Sequence, residues 1–132
     1  MQRVYTKSHE WLQTEKDVAT VGITEYAAKE WGMLMFVHLP PIGSEVAAGE
    51  VLAEAEAIKT VHEIRSPVSG KILEVNEAVM SEAERINANP YAEWLCKVRV
   101  SAMGELLTEE EYRAYVATLK TKEEEPPHRS IV

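Results

Sequence analysis

Glu54-Ala55-Glu56-Ala57-Ile58-Lys59-Thr60-Val61-His62-Glu63-Ile64 sets one lysine between two runs, each with the pattern of a short strand. Upstream, Val51-Leu52-Ala53-Glu54-Ala55-Glu56 alternates, so Val51, Ala53 and Ala55 share one face while Glu54 and Glu56 share the other. Downstream, Val61 and Ile64 resume an apolar extended pattern that ends at Pro67, which has no N–H to give a ladder. Pairing of the two runs puts Lys59 at or beside a hairpin tip, with its amine in water. The turn lacks the Asn-Gly or Gly-Gly of the tightest hairpins, so a longer type I turn is predicted. Any hairpin tip can carry a solvated lysine; the frame around this one gives it meaning.

Gly43 lies sixteen residues before Lys59 and Gly70 eleven after it. Glycines at these offsets would let two backbones approach closely near the foot of the hairpin. Pro40-Pro41, Gly43-Ser44 and Gly49-Glu50 punctuate the approach, and Ser66-Pro67-Val68-Ser69-Gly70 reads as the turn after it. Lys71 to Asn76 then reads as a strand, as does Val18 to Ile23, where Ala19, Val21 and Ile23 share a face. Met33 to Leu39 is apolar on both faces, which predicts a strand deep in the core with its methionines as filling. Short strands with frequent turns predict a mostly β sandwich or barrel.

Helices are sparse. Thr24 is placed to cap a short helix to Trp31, stopped by Gly32, and Ala78 to Ile86 is helix-compatible. Thr108-Glu109-Glu110-Glu111 is a capping box flanked by Leu107 and Tyr112 as a hydrophobic staple. Tyr112, Tyr115, Val116 and Leu119 follow at helical spacing, predicting a C-terminal helix over about 109–119 and a flexible tail over 120–132. The 132 residues fit one domain.

Composition narrows the function. No run approaches the ~18–20 apolar residues of a membrane helix, and Met1 leads almost directly into Val4-Tyr5-Thr6 with no room for a leader, so a cytoplasmic address is expected. Acidic residues outnumber basic ones 22 to 14, a net charge of −8 that repels nucleic acid and favours basic protein partners, or serves solubility alone. Cys96 is the single cysteine, so no intrachain disulfide or thiolate metal site can form, and its strand setting reads as packing. His9-Glu10 and His62-Glu63 both lack the second histidine of a zinc-binding helix, with Gln13 and Ser66 in its place.

In order and spacing, Ser8-His9-Glu10-Trp11, Ala19-Thr20-Val21-Gly22-Ile23-Thr24, Phe36-Val37-His38-Leu39-Pro40, Glu56-Ala57-Ile58-Lys59-Thr60, Ser66-Pro67-Val68-Ser69-Gly70, Glu74-Val75-Asn76, Asn87, Pro90-Tyr91 and Trp94-Leu95 form one set. Together they resemble the H protein family of the glycine cleavage system, over about Val4 to Leu119. The resemblance implies a barrel-sandwich hybrid of lipoyl type over 1–119 and lipoate in amide linkage on Lys59, with Glu56, Gly43 and Gly70 framing the attachment. It also implies a non-catalytic, monomeric carrier whose arm moves an aminomethyl group from a pyridoxal-phosphate glycine decarboxylase to a tetrahydrofolate-dependent aminomethyltransferase. A flavin-bearing dihydrolipoyl dehydrogenase would reoxidise the dithiol, and a lipoate ligase or lipoyltransferase would attach the acid. An unperturbed lysine amine is protonated at neutral pH, so acylation calls for such an enzyme. Nucleic acid, membrane and metal have no place in this reading.

The same resemblance places Ser8, Glu10 and Glu63 in a cleft for the arm, with the two carboxylates holding the loaded amine; the plainer alternative leaves both carboxylates solvated. Met33, His38, Val61, His62 and Glu93 depart from the family's usual residues, which bears on docking more than on attachment. Those departures leave open an H-like lipoyl donor or a regulatory protein outside glycine cleavage. A biotinyl domain normally has methionines beside its lysine, where this chain has Ile58 and Thr60. A lipoyl domain of a 2-oxoacid dehydrogenase usually sits in a longer chain, and no nucleophile and base can be assembled for a hydrolase.

Overall fold

The computed structural model describes residues 2–124. Alternating runs pair into two antiparallel sheets, the larger in the order β1 (Val4–Tyr5), β2 (Glu10–Glu15), β3 (Val18–Ile23), β9 (Cys96–Met103), β8 (Val68–Val75), β5 (Glu45–Val46). The smaller has β6 (Val51–Ala57) between β4 (Leu34–His38) and β7 (Val61–Arg65). Four helices accompany them among the described residues: α1 (Glu25–Trp31), α2 (Glu77–Ser81), α3 (Glu84–Ala88) and α4 (Glu109–Glu124). The fold is mostly β, a barrel-sandwich with short helices and a C-terminal helix. None of the helices is long and apolar enough to cross a membrane.

The predicted alternation of β3 holds, and Ala19, Val21 and Ile23 are buried. Leu12, Ala19 and Val21 meet Leu52, Val68, Ile72, Cys96 and Val98 in one apolar cluster. A second cluster packs Leu34, Val37, Ala53, Ala55 and Ile64 of the small sheet on Ala27, Ala28, Val79, Ala83 and Ile86 of the helices. Each fully buried leucine or isoleucine contributes ~1.5–3 kcal/mol over its exposed state, so these clusters carry most of the favourable term. The inner face of the lysine-bearing sheet is thereby fixed.

Several expectations give way. β4 is an edge strand of the small sheet, and although Leu34 and Val37 are buried, Met35 and Phe36 are 51% and 57% exposed. Its pairing with β6 shifts between Leu34 and Phe36, a bulge that leaves Met35 without an opposite residue. A second shift, between Val51 and Ala53, buries Leu52 and Ala53 in succession and exposes Val51. β8 begins at Val68, inside the predicted turn. The single helix expected over 78–86 is two, α2 and α3.

Thr24 caps α1 by accepting from Ala27 N–H at 3.2 Å, and Gly32 ends it at φ +80°. Asn87 clips that end in place: its Nδ2 donates to the Ala28 and Gly32 carbonyls while its Oδ1 accepts from Leu34 N–H. The capping box at α4 forms in both directions, Thr108 N–H to Glu111 Oε1 at 2.9 Å and Glu111 N–H to Thr108 Oγ1 at 3.1 Å. α4 runs to Glu124, five residues beyond the expected end, and the rest of the proposed flexible tail, 125–132, lies outside the described residues.

Candidate functional site

β6 and β7 pair from Ala53 opposite Ile64 to Glu56 opposite Val61, and Ala57 N–H donates to the Thr60 carbonyl at 2.9 Å. Ile58 and Lys59 alone form the tip, shorter than the predicted turn, and neither has positive φ, which excludes the primed turns. Both side chains are exposed, and among the described residues Lys59 has no hydrogen-bond or ion-pair partner. The amine is free.

Opposite residues in antiparallel strands share a face. Phe36, Glu56 and Val61 therefore form one row on the outer face of the small sheet, and His38, Glu54 and Glu63 the next. Glu56 Oε1 lies 2.8 Å from His38 Nε2 and accepts from it when the imidazole carries a proton there. β7 is an edge strand, and the N–H and C=O of Val61 and Glu63 point away from β6 along its free side.

At the far end of β7, Arg65 gathers both predicted carboxylates. Its backbone N–H donates to Glu10 Oε2 at 3.0 Å and its Nη2 to Glu63 Oε1 at 2.7 Å. Glu63 is an exposed surface pair, worth little to stability. Glu10 is another case: it is wholly buried, and its Oε1 accepts from Thr6 Oγ1 at 2.5 Å and Ser8 Oγ at 2.6 Å. The solvated alternative is overturned for Glu10 and stands for Glu63. Burial pushes the Glu10 carboxyl above the ordinary range, against the pull of the hydrogen bonds from Ser8, Thr6 and the Arg65 backbone. Ser8 and Glu10 line a cavity of about 530 Å³ with Thr6, Gly49, Arg65 and Gly104, while Glu63 does not reach it.

The two framing glycines act differently from the prediction. A Cβ on Gly70 would lie 2.0 Å from the Arg99 carbonyl oxygen, so its close approach is real but lies between β8 and β9 of the other sheet. Gly43 has open space around it and needs its residue type for φ +92°, with its N–H on the Ile72 carbonyl at 2.8 Å. Both glycines make these contacts with strands of the six-stranded sheet.

Three departing residues have partners within the chain. His38 meets Glu56, His62 stacks on Trp31 with centroids 4.4 Å apart, and Glu93 accepts from Arg85 at 3.3 Å and from Asn76 at 3.4 Å. Met33 and Val61 stay exposed. Cys96 is buried, its thiol pushed up to about 12, so the chain's own sulfur is inert. Thr6 and Arg65 join the site without a clear signal in the sequence: Thr6 is marked only by its hydroxyl four residues before Glu10, and Arg65 by nothing local.

The family model described as Glycine cleavage H-protein matches residues 3–121. The glycine cleavage system H protein of Rubrobacter xylanophilus is 48% identical over 110 residues, 83% of this chain and 87% of that one. The probable glycine cleavage system H protein of Pyrococcus horikoshii is 46% identical over 120 residues, 87% of this chain and 90% of that one. The crystal structure of a glycine cleavage system H protein from Mycobacterium marinum superposes with a TM-score of 0.84 at 41% identity, covering 88% of this chain and 97% of that one. Likeness of sequence and fold over nearly the whole described chain leads to one statement: this chain belongs to the glycine cleavage H-protein family.

Proposed function

We propose that Lys59 carries lipoate in amide linkage and that the chain serves glycine cleavage as its lipoyl-carrying component, without catalysing a step itself. The observation that carries this is the free amine of Lys59 on a two-residue tip at the end of a rigid sheet. The residues fit the group: the amine meets no carboxylate that must first be displaced, and with the Cys96 thiol buried, redox sulfurs have to come from the attached acid. When bound, lipoate would supply a disulfide that is reduced as one of its sulfurs takes the aminomethyl group, and the dithiol left after that group departs would be reoxidised to the disulfide.

The chain's part is to display, guide and shelter. From Val61 to Arg65 β7 rises through four steps, ~13 Å at ~3.3 Å each, and a lysine extended by lipoate spans about a dozen bonds of ~1.5 Å, ~15 Å when extended along its zigzag. The outward backbone groups of Val61 and Glu63 offer hydrogen bonds along that path, and Ser8 and Glu10 stand in the cavity at its end. A charged ammonium placed there gains from a carboxylate shielded from water. Glycine decarboxylase, a folate-dependent aminomethyltransferase and dihydrolipoyl dehydrogenase are the partners, a lipoate ligase or lipoyltransferase attaches the acid, and the protein acts as a cytoplasmic monomer.

Expression with a lipoate ligase, followed by peptide mass spectrometry, tests the attachment: the mass gain falls on Lys59 and is absent in Lys59→Arg. Reconstitution with glycine decarboxylase tests the use, with exchange of the glycine carboxyl and bicarbonate expected for the lipoylated form only. An unmodified Lys59 in competent cells overturns the first; a lipoylated protein that supports no exchange overturns the second.

A further inference from the structure

The turn that carries Ser8 and Glu10 is held in a costly shape by its own hydrogen bonds and by contacts from outside itself. His9 has φ +77°, a left-handed backbone that costs a non-glycine residue roughly 1–2 kcal/mol. Such a conformation persists where surrounding contacts over-determine it. Part of that hold is internal, with His9 N–H donating to the Thr6 carbonyl at 3.2 Å and Thr6 N–H to the Glu10 carbonyl at 3.0 Å, and part comes from α4. Tyr112 Oη lies 2.9 Å from His9 Nδ1 and 2.7 Å from Thr24 Oγ1. Its ring lies flat on Tyr5, with centroids 4.8 Å apart and planes 7° apart.

Tyr5 leads into the turn and His9 leads out, so one side chain from the C-terminal helix grips both ends. The His9 carbonyl also accepts from Thr24 N–H at 3.0 Å, making Thr24 the second post of the same clamp. Burial keeps the Tyr112 hydroxyl protonated, which gives it one proton to donate and an oxygen to accept. Whichever way the protons run between Thr24 and His9, that hydroxyl is the middle link. Between the two gripped ends, Thr6 Oγ1 and Ser8 Oγ aim at the single oxygen Oε1 of Glu10.

We infer that Tyr112 is a positioning residue of the carrier: through its hydroxyl α4 fixes the turn from Thr6 to Glu10, and so holds Ser8 and Glu10 toward the cavity proposed to shelter the loaded amine. The inference rests on that cavity's role as proposed above. It assigns the C-terminal helix a part in retention of cargo, separate from attachment at Lys59.

The test uses lipoylated full-length protein loaded by glycine decarboxylase from glycine, with no aminomethyltransferase present. Loss of cargo is read as formaldehyde and ammonium: water takes the place of sulfur on the carbon, the sulfur leaves as a thiol, and the aminomethanol so formed falls apart. Tyr112→Phe keeps the stack on Tyr5 and removes the hydroxyl, and is expected to release cargo about fivefold faster, the scale of one net hydrogen bond. Val116→Ala trims a side chain packed on the same aromatic cluster and leaves the hydroxyl and its partners in place, so it should release at the parent rate. In unloaded protein, Tyr112→Phe should move the amide resonances of Ser8, His9 and Glu10 and leave that of Lys59 in place. Enzymatic lipoylation of Lys59 should proceed at the parent rate in both variants.

Parent-like release from Tyr112→Phe while Glu10→Gln releases faster overturns the inference and spares the cavity. Equal acceleration by Val116→Ala overturns it too, since helix docking in general would then be responsible. Parent-like release from Glu10→Gln removes the cavity's role and the inference with it.

Discussion

Glu10 is a buried carboxylate, and its three hydrogen bonds do not fully offset its burial. Its native pKa is raised, so the folded state holds that proton more tightly than the unfolded chain does. The stability this contributes is complete below the ordinary glutamate value, ~4.3, and is lost as pH rises from there through the raised native value. Urea midpoints of the parent minus those of Glu10→Gln, taken across that window, should therefore fall as pH rises; a flat difference would contradict the burial. The spacing of Lys59 was legible because the alternation of β6 and the stop at Pro67 bracket it locally. The burial of Glu10 was not. Glu10, Trp11 and Leu12 are buried one after another, so the start of β2 is enclosed on both faces and alternation carries no signal there. Arg65 meets Glu10 from 55 positions away, a contact that only tertiary pairing creates.

At the level of elements, local chemistry was read well and lateral position poorly. The capping box of α4 and the Thr24 cap of α1 are satisfied within three residues, so their residues alone declare them. β4 is apolar on both faces, which in an isolated sequence means a central strand. Its neighbours decide otherwise: β6 pairs on one side only, and the bulge at Met35 turns side chains out. The two placements make opposite predictions. Leu34→Ala should cost ~2–5 kcal/mol as a buried truncation, whereas Phe36→Ser at an exposed site should stay within ~0.5 kcal/mol. Thermal or urea unfolding of the pair decides; an equal loss at both would restore a buried β4. Gly70→Ala makes a third case at this level. The methyl would sit 2.0 Å from the Arg99 carbonyl oxygen, so β8 and β9 must part. A loss of ~1–3 kcal/mol or more is expected by the same melt.

Taken whole, the molecule sets the proposed attachment point apart from the proposed shelter. Lys59 belongs to the three-stranded sheet, Ser8 and Glu10 to a turn of the six-stranded one, and Arg65 is where the two meet. The order of strands in space, which brings β7 beside the first hairpin, depends on pairings far apart in sequence, and no single stretch encodes it. The net charge of −8 is spread over this frame, and docking onto basic partners should weaken as salt shortens the range of its field. A rising apparent KM of the decarboxylase for the carrier between low and physiological ionic strength would register it. The extent of β7 then acquires the meaning of a gauge. A shorter homologue of the acid, with two methylenes fewer, should be ligated to Lys59 as readily, yet its burden would stop short of Arg65 and leak into solvent. Formaldehyde shed by the truncated adduct, compared with that from the natural one, would calibrate the ruler.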